Sequence, residues 1–246
     1  MSSEATSTAL QNALFPTMQE STAVQFLQEH GVLHRERNCS CGNPMSLSVQ
    51  DGGRPPRWRC HKASCGRDIS VRKGTWFEGT KVLLGTAVQF IFNWTRERTT
   101  CTFCAEHLST RAIILSYDVY ISSENILGMP PRQTVKWNRL MREVAAESIN
   151  RKPCVIGGER LTVELDESLF SKRKGRQQRS ALPPAIAAAT IESLWAQIKR
   201  RNKIRCGTRR TMLDSYFSEF MWRRRLQPGD VLENVLHEIA AYWPPE

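Results

Sequence analysis

A chain of 246 residues has room for one sizeable core or two small ones, and 40% hydrophobic with 24% charged residues describes a soluble globular protein, not a disordered or collagen-like one. Its 35 Lys and Arg against 24 Asp and Glu give a formal net charge of +11, which points to a polyanionic partner. The longest apolar stretch, 82–92, is about half of a bilayer span and is interrupted by Gln89, and MSSEATSTAL lacks the basic and apolar regions of a secretory signal, so neither membrane insertion nor export is expected.

Residues 1–20 are polar and aperiodic and read as a flexible tail. At 22–31, Val24, Phe26 and Leu27 supply the apolar side of a short helix, with Gly31 as its stop. Residues 38–70 are rich in Cys and Gly, and their alternating pieces MSLSV and RWRC suit strands. Helical spacing returns at 81–94 (Val82, Leu84, Val88, Ile91, Phe92) and at 101–115. A further helix at about 133–149 carries Trp137, Leu140, Met141 and Val144 on one side. LTVELDESLF at 161–170 alternates Leu161, Val163 and Leu165 with polar neighbours, as a half-buried strand does. The Pro183/Pro184 break follows, and three helices close the chain near 186–202, 209–224 and 231–243. Asp230 and Glu233 stand as the N-cap and reciprocal partner of the last one.

With no secretion signal, the eight cysteines are expected to be reduced thiols or metal ligands. Cys39-x-Cys41, eighteen residues, then Cys60-x4-Cys65 makes two close pairs facing each other across a small β-ribbon. Zinc takes four soft donors in a tetrahedron, and two such knuckles supply them, with Gly42, Gly52, Gly53 and Gly66 providing turns. A segment this small has little core, so a structural Zn²⁺ is expected to supply much of its folding free energy, on the order of 10 kcal/mol. His61 adjoins Cys60 and is the weaker ligand candidate. Cys101-x2-Cys104 with His107 has ligand-like spacing but no second pair, and reads as buried thiols.

The charge is concentrated. Between 172 and 225 there are 15 Lys and Arg against three acids, which leaves 20 basic and 21 acidic residues elsewhere. Such a field attracts phosphate backbones and makes binding salt-dependent. Lys172, Arg173, Lys174, Arg176, Lys199, Arg200, Arg201, Arg209 and Arg210 are therefore candidate DNA contacts. The region 120–149 reads as helix, proline turn, helix, and Lys136, Arg139 and Arg142 lie roughly along one side of its second helix, where they could enter a major groove. Trp195, Tyr216, Phe217, Phe220 and Trp222 recur at helical spacing and read as core more readily than as stacking platforms.

Asp166 ends an alternating strand, a costly place for a carboxylate unless it meets a cation. Glu192 opens an amphipathic helix, where an acid also suits the helix dipole. The wording around them, VELDESLFSKRKGR, IESLWAQIKRR and GTRRTMLDSYFSEFMWRRR, with the upstream SVRKGTWFEGTKV, resembles the Merlin-type DDE transposases and their bacterial insertion-sequence relatives, over about 20–180 and 190–245. The resemblance implies a zinc ribbon and a helix-turn-helix-like region that bind DNA ahead of a ribonuclease-H-like core. In that core three carboxylates hold two Mg²⁺ or Mn²⁺ ions, which activate the attacking oxygen and stabilise the leaving one at phosphorus. The family's first Asp maps onto Asp166 and its final Glu onto Glu192.

Only 25 residues, 167–191, separate these two acids, and none of them is Asp. A crossover needs a dozen or more residues and each strand about five or six, so the family's middle block and its second catalytic Asp are missing. A decayed element copy or a skipped exon would each produce this. The expected fold is α+β and mainly helical: a tail (1–20), a helix plus zinc ribbon (21–75), a helix-turn-helix-like region (76–152) and a truncated ribonuclease-H-like domain (153–246) with one or two strands plus C-terminal helices. The expected function is that of a transposase-derived protein that binds double-stranded DNA at element ends, inactive in strand transfer and located in the nucleus, with the cytoplasm as alternative. Oligomeric state stays open, a homo-oligomer included. An active enzyme that borrows a third carboxylate from another subunit, and a zinc-ribbon module for RNA or protein, are the alternatives.

Overall fold

The computed structural model describes residues 18–49, 55–108, 128–153, 188–204, 210–227 and 229–245, with the side chains of 188–192, 202–204 and 210 outside that description. Within it the chain is mainly helical, with seven helices and one three-stranded antiparallel sheet. The strand expected at 161–170, the first helix of the expected helix-turn-helix, and the C-terminal part of the helix expected at 101–115 lie outside the described residues.

Helix α1 (Glu20–Glu29) buries Ala23, Val24 and Leu27, with Phe26 packed half-buried beside them, and its remaining positions are polar. It stops where expected. Gly31 takes φ 69°, and the amide of Val32 donates back to the Leu27 carbonyl at 2.8 Å, closing the last turn. The sheet follows, with β1 (Ser46–Ser48), β2 (Arg57–Arg59) and β3 (Asp68–Ser70) in the order β1-β2-β3. The two alternating pieces read from sequence are β1 and β2. Trp58 is aligned with Leu47 on one neighbour and Ile69 on the other, so the buried face of this sheet is built around one indole.

Helix α2 (Leu84–Thr95) is buried from Leu84 to Trp94, polar positions included, which makes it the central helix of the molecule. Its N-cap residue, Leu83, offers no side-chain acceptor. Glu20 serves instead from α1, its two oxygens accepting from the amides of Leu84 and Gly85 at 2.9 Å each, with the Arg72 guanidinium 3.8 Å away. A side chain at Gly85 would collide with the Met18 carbonyl, so this close approach requires glycine.

Short helix α3 (Cys101–His107) is capped by the Thr100 hydroxyl, which accepts from the Phe103 amide. In α4 (Pro131–Arg151), Pro130 is the N-cap and Pro131 the first helical residue, where the missing amide hydrogen costs nothing. Trp137 of α4 is 2% exposed and meets Trp76, Phe77 and Phe90 at ring-centre separations of 5.8, 6.3 and 5.6 Å. This cluster joins the segment after β3 to α2 and α4.

Helices α5 (Ala188–Ile204), α6 (Arg210–Arg225) and α7 (Val231–Tyr242) complete the fold. Helix α4 packs against α6, α7 and α3, while α2 packs against α1, α7 and α4. Asp230 is the N-cap of α7 but makes no side-chain capping bond, and Glu233 reaches the His30 ring at 3.3 Å instead of returning to the cap. The expected capping box is therefore absent: Asp230 has φ −91° and ψ 4°, off the extended conformation that aims a cap side chain at the helix amides.

Candidate metal centre

Two turns bring four sulfurs together. In the first, the Cys39 amide donates to the Asn43 carbonyl at 2.9 Å and the Gly42 amide to the Cys39 carbonyl at 2.8 Å, with Gly42 at φ 80°. In the second, the Cys60 amide donates to the Arg67 carbonyl at 2.9 Å and the Cys65 amide to the Lys62 carbonyl at 2.8 Å, with Gly66 at φ 56°. The sulfurs pair across the turns: Cys39 Sγ lies 3.5 Å from Cys65 Sγ, and Cys41 Sγ 3.6 Å from Cys60 Sγ. All four lie within 4.8 Å of one another. A tetrahedron of thiolates at the usual zinc–sulfur distance has edges of about 3.8 Å, so the donor set fits the ion. The one-residue spacing of the first pair is accommodated because each of its sulfurs faces a partner on the opposite turn.

The protonation of this group is uneven. Cys39 is held down to about 6, first by the Cys41 amide and, against the opposing effect of burial, by hydrogen bonds from the other three sulfurs. The Lys62 amide lowers Cys60, but burial and the three neighbouring sulfurs outweigh it and push the thiol up to about 11. One thiolate thus forms readily and a later one is resisted by its neighbours, a conflict that a divalent cation removes by taking all four as thiolates. His61 stands outside the sulfur group, its Nε2 2.5 Å from the Ser46 hydroxyl. Cys101 and Cys104 are not both buried: Cys104 is, and desolvation pushes it up to about 11, while Cys101 is exposed. Among the described residues the Cys39, Cys41, Cys60 and Cys65 group is the one that could hold a metal.

The basic candidates separate into three kinds. Lys136 and Arg139 are exposed on α4, Arg139 pairing along the helix with Glu143 at 2.8 Å, and Lys199 and Arg200 are exposed on α5. Arg142 does not share that exposed side. It is 5% exposed, its Nε donates to the Ser215 hydroxyl at 3.2 Å and its guanidinium lies 4.3 Å from the Tyr216 ring centre, so it joins α4 to α6. Arg201 is half-buried and ion-paired to Glu97 at 2.6 Å. Asp166, Lys172, Arg173, Lys174, Arg176 and Arg209 lie outside the described residues. Glu192 and Arg210 fall within α5 and α6, their side chains outside the description.

Sequence reasoning passed over the basic residues of the sheet. Arg57 and Arg59 share one face of β2, at 3.6 and 3.4 Å from the single carboxylate of Asp68. The R-W-R alternation of RWRC carried that signal, since residues two apart on a strand share a face. Among the described residues no helix is long and apolar enough to cross a membrane. No protein-family model, curated protein or solved structure matches this chain.

Proposed function

We propose that the chain is a zinc-stabilised protein that binds double-stranded DNA, descended from a Merlin-type transposase and inactive in strand transfer. The observation that carries this reading is the convergence of Cys39, Cys41, Cys60 and Cys65 within 4.8 Å beside a strand that presents Arg57 and Arg59 together. A metal there would hold the small sheet rigid and fix two guanidinium groups that a single carboxylate, Asp68, does not neutralise. Lys136, Arg139, Lys199 and Arg200 add exposed positive charge on two helices. Fixed cations of this kind contact phosphates and set orientation without reading bases. The nucleus is the compartment that goes with this reading, and the sequence resemblance is its basis.

Inactivity follows from the missing middle block, since the 25 residues between Asp166 and Glu192 hold no Asp and are too few for the crossover and the strand that would carry the family's second catalytic Asp. The test is duplex binding measured against salt with the zinc-loaded chain. Affinity should fall linearly in log–log form, and replacing both Lys136 and Arg139 by alanine should reduce the slope by about two. Binding that ignores salt would favour a protein-interaction module instead. Incubation of the same preparation with Mg²⁺ or Mn²⁺ should leave duplex ends uncut; nicking that Asp166→Asn abolishes would restore the enzyme reading.

A further inference from the structure

A half-open cavity of about 470 Å³ lies where α2, α4, α5 and α6 meet. Its charged lining consists of Arg142, Arg201 and Arg223 with Glu97 and Glu219, so it holds one more positive than negative group. Three of these five are largely withdrawn from solvent: Arg142 and Glu219 are 5% exposed as residues, and the Arg223 side chain is 9% exposed. Buried charges are retained in a fold when geometry fixes them, and here it does. Arg223 is held by Glu219 at 3.0 Å and by the carbonyls of Trp94 and Thr95 at 2.8 and 3.1 Å.

Glu97 is the unusual member. It is the one described non-glycine residue with a left-handed backbone, φ 58°, in the position after a helix that glycine ordinarily takes. That turn aims its carboxylate at Arg201, 2.6 Å away, and brings it within 3.8 Å of Arg223. A strained acid thus screens two guanidinium groups at the rim of a solvent-accessible cavity, an arrangement that an incoming anion could replace. Val135, 60% exposed, also lines the cavity and offers an apolar surface beside the charges. The volume is in the range of sites for small organic ligands. Arg201 and Arg223 belong to the most basic segment of the chain, where the surrounding field favours a phosphate monoester, with about −1.5 to −2 charges, over a carboxylate.

We infer that this cavity binds the phosphate of a nucleotide-sized phosphate monoester, with the guanidinium groups of Arg142 and Arg201 on the oxygens and Glu97 displaced as a competing carboxylate. The chemistry is shared by a free nucleoside monophosphate and by the 5′-phosphorylated end of a DNA strand. Calorimetric titration of the full zinc-loaded chain with adenosine 5′-monophosphate tests it, with adenosine as control. The monophosphate should bind and adenosine should bind at least about tenfold more weakly, the value of one charge-assisted contact.

Arg201→Gln should weaken binding about tenfold and Glu97→Gln should tighten it by about threefold, while Lys81→Gln, exposed ahead of α2 and not part of the cavity lining, should change nothing. Oligonucleotides with 5′-phosphate or 5′-hydroxyl ends name the source: competition by the phosphorylated strand alone assigns the cavity to strand ends, and its failure to compete assigns it to free nucleotides. Equal affinity for monophosphate and adenosine, no binding of either, or the same shift from the Arg201 and Glu97 variants would overturn the inference. A blunt duplex with 5′-hydroxyl ends reports separately on general DNA binding, so the two readings fail independently.

Discussion

Cys60 and Gly85 show how much single positions carry. Cys60→Ser removes one of four sulfurs, and the remaining three cannot close a tetrahedron, so metal content measured by mass spectrometry should fall from one ion per chain to near zero. The pH dependence of zinc affinity has a defined sign. Cys39 is held down to about 6 and Cys60 is pushed up to about 11, so between about pH 6 and 8 zinc must displace the proton of Cys60. Affinity should rise with pH across that window and fall on acidification, by about tenfold per unit for each proton displaced. Gly85→Ala places a methyl group against the Met18 carbonyl and loosens the Glu20 cap on α2; thermal denaturation should register a loss of about 1–3 kcal/mol.

Among elements, α4 carries the largest share of the tertiary structure, because one side holds the aromatic cluster and another holds α6. Trp137→Ala should cost about 3–5 kcal/mol in chemical denaturation, since the rings around it lose their common neighbour. Local rules make most helices and two of the three strands legible in the sequence: the 3.6-residue stripe of α2, the Gly31 stop, Pro131 at the start of α4, the alternation of RWRC. The sulfur cluster is equally legible, because ligand spacing is a local feature.

What stays hidden depends on partners distant in sequence. The cap of α2 comes from Glu20, 64 residues before Leu84, and the acceptor for Arg142 is Ser215, 73 residues after it. Helical spacing places Arg142 beside Lys136 and Arg139, yet packing against α6 turns it from a surface cation into an interhelical contact. No periodicity encodes such a choice.

Across the whole molecule the +11 charge overstates the cations that face solvent. Of the Arg223, Arg224 and Arg225 run, Arg223 closes the carboxyl end of α2 and Arg225 donates to the Lys152 carbonyl at 2.8 Å; Arg151 likewise donates to the Ala241 carbonyl at 2.6 Å. These groups stabilise helix ends, so fewer cations than the count of basic residues are left for the proposed binding to phosphates.

The sheet and its four sulfurs stand apart from this helical framework in what sustains them, because three strands of three residues each bury little beyond Trp58. Hydrogen exchange on the zinc-loaded chain, before and after chelation, tests that most directly. One zinc per chain is expected and, on its removal, loss of protection across 38–49 and 55–71 while α2 and α4 keep theirs. A chain that binds no metal, or that keeps the sheet protected after the metal is stripped, would contradict it.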